Sequence, residues 1–370
     1  MIFRCHIFRR PAIRPCAALL AFAALLTVPL ALVRAEPIVM TDLEGRTVTL
    51  EKPAERVAAI PIPMASILIA MGQGTKSLAG MNRIAKTAML EGILGKIFPE
   101  TADIRADIAG QNFMPNVEAL AAARPDLVIQ WGGRGDDIVK PLTNAGLNTM
   151  LILYGTEDYA RRYITLAATA IGKPERAAAN IAWRRSVEAE IGAKVRAIPP
   201  AQKPRVLHLS RAMTAMAASG RGSYEDASIT LAGGENVAAA LNDVMPVNRE
   251  RIAAWDPEVI FLNGFEEELT PEFIYKDPIL SQTAAARTKR VYKYPLGGYR
   301  WDPPNQESPL TWMWLANLLH PKVFAFDLRG EIRMRFRELY AYELKDTEID
   351  GILRLPIHAS AAGYDALRSR

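Results

Sequence analysis

Four arginines stand at glycine-rich or aromatic turns: Arg83 after Met81-Asn82, Arg134 after Trp131-Gly132-Gly133, Arg211 after Ser210, and Arg300 between Tyr299 and Trp301. A guanidinium offers planar, fixed donors and permanent charge, while aromatic faces cover flat organic surface. With Tyr224 and Phe265 they form a donor set suited to an anionic, partly organic ligand. The Tyr299 phenol adds a group able to ligate iron or to serve as a buried hydrogen-bonding side chain. Glu307, Trp312 and Trp314 continue the last turn into a helix and are expected to brace it.

The parts of an enzyme are missing. Gly72-Gln73-Gly74-Thr75-Lys76-Ser77 has the glycines of a phosphate loop, yet it lacks an adjacent Gly-Lys-Ser/Thr and follows a helix pattern where that motif follows a strand. Gly132-Gly133-Arg134-Gly135 has no dinucleotide spacing, and the sequence has neither a nucleophile elbow nor a His-x-x-Glu-His run. No catalysis and no cofactor are expected. Beyond the first 35 residues the histidines are His208, His320 and His358, scattered along the chain. Such spacing argues against a site built from three imidazoles and leaves His208, near a strand end, as the one candidate for direct metal contact.

The elements that position these residues are legible through an internal repeat with an offset of 132 residues. The stretch 116–129, from Asn116-Val117-Glu118-Ala119-Leu120 to Pro125-Asp126-Leu127-Val128-Ile129, aligns without gaps to 248–261, from Asn248-Arg249-Glu250-Arg251-Ile252 to Pro257-Glu258-Val259-Ile260-Phe261. Each copy predicts an Asn-capped helix with Glu at its positive end, a proline stop and a buried strand. The strand then runs into glycine at Gly132 or Gly264, where open α/β sheets place ligands. Further strands are expected at 56–60, 77–80, 205–209 and 290–294, and helices at 64–71 and 227–232. Strands alternating with short helices imply an α/β fold with a mostly parallel sheet in each of two lobes. Between them, 157–171 and 174–198 read as helices, the second about 36 Å long at 1.5 Å per residue and able to cross between lobes. Such a crossover predicts a modest tilt on closure.

Residues 1–35 read as an export signal: Arg4, Arg9, Arg10 and Arg14 precede an apolar run from Cys16 to Val33, and cleavage is expected after Ala35. The other reading of that run is a retained anchor. Five of the 45 Lys and Arg residues lie in this segment and none of the 40 Asp and Glu, so the remainder balances at 40 against 40. The basic pI of the whole chain, about 9.1, therefore speaks for targeting and gives nucleic-acid binding no support. Cys5 and Cys16 are the only cysteines, so the remainder has no disulfide and no thiolate metal site. The expected partition is signal 1–35, N-terminal lobe 36–155, helical linker 156–200, C-terminal lobe 201–345 and tail 346–370.

The opening Arg56-Val57-Ala58-Ala59-Ile60, the Asn-x-Glu repeat unit, the signal and the long crossover helix together resemble the helix-linked (class III) periplasmic binding proteins of ABC importers, over about residues 38 to 345. That family carries siderophores, haem, vitamin B12 and other metal-containing ligands. The resemblance implies a periplasmic monomer that captures a metal chelate, a ferric siderophore or similar iron complex before haem, cobalamin, a nickel chelate, a bare ion or an oxyanion. A non-transport surface binding protein is the remaining alternative. It also implies one glutamate per lobe that pairs with arginines of the inner-membrane permease, which by position are Glu118 and Glu250. Both are expected away from the strand-end cleft.

Overall fold

A computed structural model describes residues 36–368. The expected signal, with both cysteines, lies outside the described residues. No helix among the described residues is long and apolar enough to cross a membrane.

The first sheet has the order β4-β3-β5-β6, built from β3 (Val57–Ala59), β4 (Leu78–Met81), β5 (Leu127–Trp131) and β6 (Thr149–Ile152), all parallel. These strands are apolar along nearly their whole length because helices cover both faces of a parallel sheet. An antiparallel hairpin, β1 (Ile38–Thr41) and β2 (Thr47–Leu50), docks on β6: buried Asp42 accepts from the backbone N–H of Leu151 at 3.0 Å.

The second sheet is mixed. Its order is β10-β8-β7-β11-β12, with β9 also on β7. The strands are β7 (Arg205–Arg211), β8 (Ala217–Ser219), β9 (Glu235–Asn236), β10 (Val244–Pro246), β11 (Val259–Leu262) and β12 (Val291–Lys293). β7, β11 and β12 are parallel, as expected, while β8 and β10 add an antiparallel edge.

The repeat is realised in backbone detail. Helices Val117–Ala123 and Arg249–Trp255 start at Asn116 and Asn248, whose side chains accept from the N–H groups of Ala119 (3.2 Å) and Arg251 (2.9 Å). Both helices end on a left-handed residue, Arg124 (φ 45°) or Asp256 (φ 42°), just before the proline. The stop is thus a C-cap, and the proline only follows it.

The helix expected at 227–232 runs from Tyr224 to Leu231, capped by Ser223. That shift places Tyr224 and Glu225 in its first turn instead of a loop. Helix Glu157–Ala170 leads through Gly172 into the crossover helix Pro174–Val195, which is 22 residues and about 33 Å long. It ends at Val195, short of the expected Ile198, where the chain tightens into a turn before Pro199.

The crossover helix is fixed at its middle by Arg184, which is fully buried. Its Nε and Nη2 donate to the two carboxylate oxygens of Glu157 at 2.7 and 2.5 Å, and its Nη1 donates to the carbonyl of Asn305 at 2.6 Å. The Tyr224 hydroxyl also donates to Glu157 (3.2 Å), and the guanidinium lies over the Trp312 ring at 5.2 Å. Neighbouring Asn180 donates to the Gln306 carbonyl at 2.9 Å. One side chain thereby ties the end of the first sheet to the loop and helices of the second.

Residues 346–368, expected as a tail, pack onto the second sheet. His358 stacks on Tyr364 at 4.0 Å and its Nε2 accepts from the backbone N–H of Lys293 at 2.8 Å, while Tyr292 donates to the Ala362 carbonyl.

Candidate functional site

The carboxyl ends of the two sheets face each other and several elements meet there. From the first sheet come Trp131, the last residue of β5, and Tyr154, two residues past β6. Their rings meet edge to face at 6.0 Å, Phe113 closes the other side of Trp131 at 6.0 Å, and Arg134 lies 5.2 Å from both the Phe113 and Trp131 rings. From the second sheet come His208, Ser210 and Arg211 at the end of β7, Ser219 of β8, Glu225 of the following helix, and Tyr294 just past β12. The loop 294–308 supplies Tyr299, Arg300 and Asp302.

Contacts link these groups across the interface. Tyr154 donates to Oε1 of Glu225 at 3.3 Å, joining one sheet's end to the other's. Arg300 donates through Nε to the Gly264 carbonyl (2.5 Å) and through Nη2 to Glu91 of the first lobe (2.9 Å). Asp302 accepts from the Gly264 N–H at 3.0 Å. Phe265 sits between two guanidinium groups, Arg211 at 4.7 Å and Arg300 at 5.1 Å. His208 meets Tyr294 edge to face at 5.3 Å, and its Nδ1 is 2.8 Å from the Ser219 hydroxyl.

Polar atoms in this centre are buried yet lack a hydrogen-bond partner: Trp131 Nε1, His208 Nε2, Glu225 Oε2, Tyr294 OH, Tyr299 OH, Arg300 Nη1 and Asp302 Oδ1. An unmade buried hydrogen bond costs about 1–3 kcal/mol, so such atoms gathered in one interlobe region make it the candidate for holding a bound group.

Burial sets the protonation states. It pushes the His208 imidazole down to about 3, helped by the nearby Arg211 charge, so the ring is neutral. It pushes the Glu225 carboxyl up to about 7, with Asp302 adding repulsion, and raises Asp302 as well. The Tyr154, Tyr294 and Tyr299 hydroxyls are raised by the same burial and remain protonated donors. The centre is therefore rich in hydrogen-bond donors and flanked by two guanidinium groups.

The loop 294–308 is held by its own contacts. Glu307 accepts from Trp301 Nε1 (2.8 Å), from the Gly298 N–H (2.9 Å) and from the Tyr340 hydroxyl. Asn305 donates to the carbonyls of Arg300 and Pro303. A side chain at Gly297 would come within 2.1 Å of Glu307 Oε2, and one at Gly298 within 2.3 Å of the Tyr340 hydroxyl, so only glycine lets this turn close over the carboxylate. Trp314 packs on Tyr294 at 5.1 Å, so Glu307 and Trp314 brace the loop.

The residues singled out in the sequence fall into three groups. Trp131, Arg134, Arg211, Phe265, Tyr299 and Arg300 are brought together at the interlobe centre or its edge. Met81 is fully buried in the core at the end of β4; Tyr224 spends its hydroxyl on Glu157, and Trp301 its N–H on Glu307. Arg83 is exposed in the first turn of helix Arg83–Glu91.

No group of three or more His, Cys, Asp and Glu side chains is arranged to hold a metal ion among the described residues. His208 therefore stands without the partners a bare-ion site needs. The other two histidines are structural: His320 Nε2 contacts the Gly233 carbonyl, and His358 holds β12.

Sequence reasoning missed Tyr154 and Glu225, while Asp302 closes the late turn that it did place at the cleft. Tyr154 follows a strand end, the signal that located the others. Glu225 resembles an ordinary first-turn acid.

Glu118 and Glu250 are exposed and make no ion pair among the described residues. Gln130, near the end of β5, donates to the Phe113 carbonyl at 2.9 Å, just before the Glu118 helix. Helix and strand run antiparallel, so Glu118 stands at the rim of the same sheet end as the cleft. The expectation of a position remote from the cleft is corrected accordingly.

Two lobes, a single helical crossover and a polar centre between strand ends define a receptor of the helix-linked, two-lobed class. The model of the periplasmic binding protein family matches residues 109–296, just over half of the chain, and the chain belongs to that family. It is a family of binding proteins, not of enzymes. A periplasmic solute binding protein from Veillonella parvula is 33% identical, with a TM-score of 0.79 over 88% of this chain and 99% of that one. The molybdate-bound MolA of Haemophilus influenzae shares the fold, with a TM-score of 0.73 at 20% identity over 83% of this chain and 99% of MolA. A vitamin B12-binding protein from Salmonella typhi is 31% identical over 156 residues, 42% of this chain and 57% of the relative, so the match spans little more than half of that protein.

Proposed function

We propose that this chain is the periplasmic receptor of an ABC importer and that it captures an anionic, oxygen-rich metal ligand, a ferric siderophore or similar iron complex, between its lobes. The observation that carries this reading is the set of buried, partnerless donors at the interlobe centre, with Arg211 and Arg300 beside them. A negatively charged ligand with acceptor oxygens satisfies Trp131 Nε1, the tyrosine hydroxyls and Arg300 Nη1 together. Metal-containing ligands are common to the vitamin B12 and molybdate relatives, which supports the class. A corrin would need broad exposed apolar walls, whereas this centre is polar and closed. Glu118 and Glu250, exposed on helices related by the repeat, would present one negative charge per lobe to permease arginines.

The test is native mass spectrometry and metal analysis of the protein purified from its own periplasm, followed by calorimetric titration with ferric siderophores, molybdate and cobalamin. An anionic metal ligand bound one to one is the expected result. Tight binding of cobalamin that anions do not displace would sink the reading.

A further inference from the structure

Glu225 is an acid of the second lobe that reaches across the cleft and keeps one oxygen unpaired. Oε1 accepts from Tyr154 of the first lobe, and Oε2 is buried without a partner. A carboxylate in that position would turn a bare negative charge toward the bound anion. We propose that Glu225 enters the ligand site as a neutral acid, with the proton on Oε2, and donates it to an acceptor oxygen of the ligand, so that capture is linked to proton binding. This rests on the anionic-ligand reading above and names the residue that enforces it.

The surroundings fix the sign. Burial disfavours the charge of Glu225 most, and Asp302 of the loop after β12 repels it; its own backbone N–H, Tyr154, which donates to Oε1, and the nearby Ser219 hydroxyl favour the charge without outweighing burial, and Tyr294 faces it as another partnerless hydroxyl. Arg211 and Arg300 act mainly on Asp302, and Arg300 is already paired with Glu91. On the crossover helix packed behind, Arg184 is neutralised by Glu157. His208, bonded to the same Ser219 that approaches Glu225, is neutral throughout the physiological range. From β9, Asn236 pairs with Asp226 and brings no charge to Glu225.

Burial holds the Glu225 carboxyl at about 7. Below that pH the acid is already neutral and affinity should be flat. Above it, each captured anion must bring a proton with it, and affinity should fall by up to about tenfold per pH unit.

The experiment uses molybdate as the probe, with calorimetry from pH 6 to 8.5 on the wild type, Glu225→Gln and Tyr154→Phe. Glutamine donates at every pH, so Glu225→Gln should bind molybdate with a flat profile; Tyr154→Phe should keep the slope with its onset moved to higher pH. In parallel, the wild-type minus Glu225→Gln infrared difference at pH 6, taken on ligand-free protein, should show a protonated-carboxyl band beyond the one buried Glu307 gives in both proteins, with circular dichroism confirming that the variant is folded. A folded Glu225→Gln protein whose carboxyl absorption loses no intensity against the wild type overturns the proposal whether or not molybdate binds. An unchanged pH slope in that variant overturns it equally. If that intensity is lost but neither molybdate nor a ferric siderophore binds the wild type, the proton stands on Glu225 and it is the anionic-ligand reading that fails.

Discussion

The two walls of the cleft are built from different materials. The first lobe presents an aromatic ladder, Phe113, Trp131 and Tyr154, with Arg134 lying over two of its rings in the open. The second lobe presents His208, Glu225, Tyr294, Tyr299, Arg300 and Asp302, all buried, and it contributes every partnerless polar atom named at the centre except Trp131 Nε1. The repeat gives both lobes the same helix and strand, yet the partnerless polar groups are concentrated on one side. Common scaffolding places strand ends alike; the loop after β12, which the first lobe lacks in this form, makes the difference.

The comparison breaks most visibly at the rims, where the lobes should be equivalent. Reversal of both Glu118 and Glu250 to Lys should abolish uptake, since like charges in an interface cost several kcal/mol, while ligand affinity changes little because both side chains are exposed and bond to none of the buried groups of the centre. Each single reversal should be intermediate. Transport assays beside calorimetry measure both quantities, and full uptake by a stable double mutant would remove the docking role.

Within the cleft the lobes should diverge. Arg300→Ala should weaken binding by about 2–3 kcal/mol, typical of a charged hydrogen bond, and Arg211→Ala by somewhat less. Arg83→Ala and Arg134→Ala, both exposed, should cost under about 1 kcal/mol. Equal losses on the two sides would erase the asymmetry.

Stability should follow the same division. The Glu225 and Glu307 carboxyls are both raised from 4.5 to about 7 by burial. Between those values the folded protein keeps protons that the unfolded chain releases, so their contribution to stability is present at low pH and lost as pH rises to about 7. From pH 5 to 7.5 the wild type should therefore lose on the order of 1–3 kcal/mol more than Glu225→Gln, read from denaturant melts. Parallel curves would contradict the burial of the charge.

The smallest effect is on shape. Free and liganded protein should differ by a slight tilt of the lobes, and small-angle scattering that showed a large compaction would refute it.

How much of this could be read from the sequence depends on which residues carry a pattern. The repeat unit was legible because cap, apolar face, stop and buried strand each leave a local mark. β8 and β10 were not, since Ala217-Ala218-Ser219 and Val244-Met245-Pro246 are too short to show alternation and pair only through tertiary contact. In the site, arginines and aromatics at strand ends announced themselves. Glu225 did not, because an acid in a first helical turn ordinarily serves the helix dipole, and only the packing of Tyr154 and Asp302 around it gives it another environment. Arg184 was equally silent: one arginine among several on the crossover helix, distinguished by being the one that Glu157 and Asn305 enclose.

That enclosure bears on how a receptor of this kind can report its state. With Arg184 clamped to Glu157 and Asn305, the linker is a pinned axle between the lobes and resists free hinge motion. Cutting the pin, as in Arg184→Met, should loosen the lobes and cost about 3–5 kcal/mol of stability, because the carboxylate of Glu157 is left partly buried. While it holds, loading is transmitted outward as a slight turn of two stiff arms. On the proposed docking through Glu118 and Glu250, a partner at the rim would act as a gauge of angle, sensing how the two carboxylates are set against each other instead of waiting for a new surface to be uncovered.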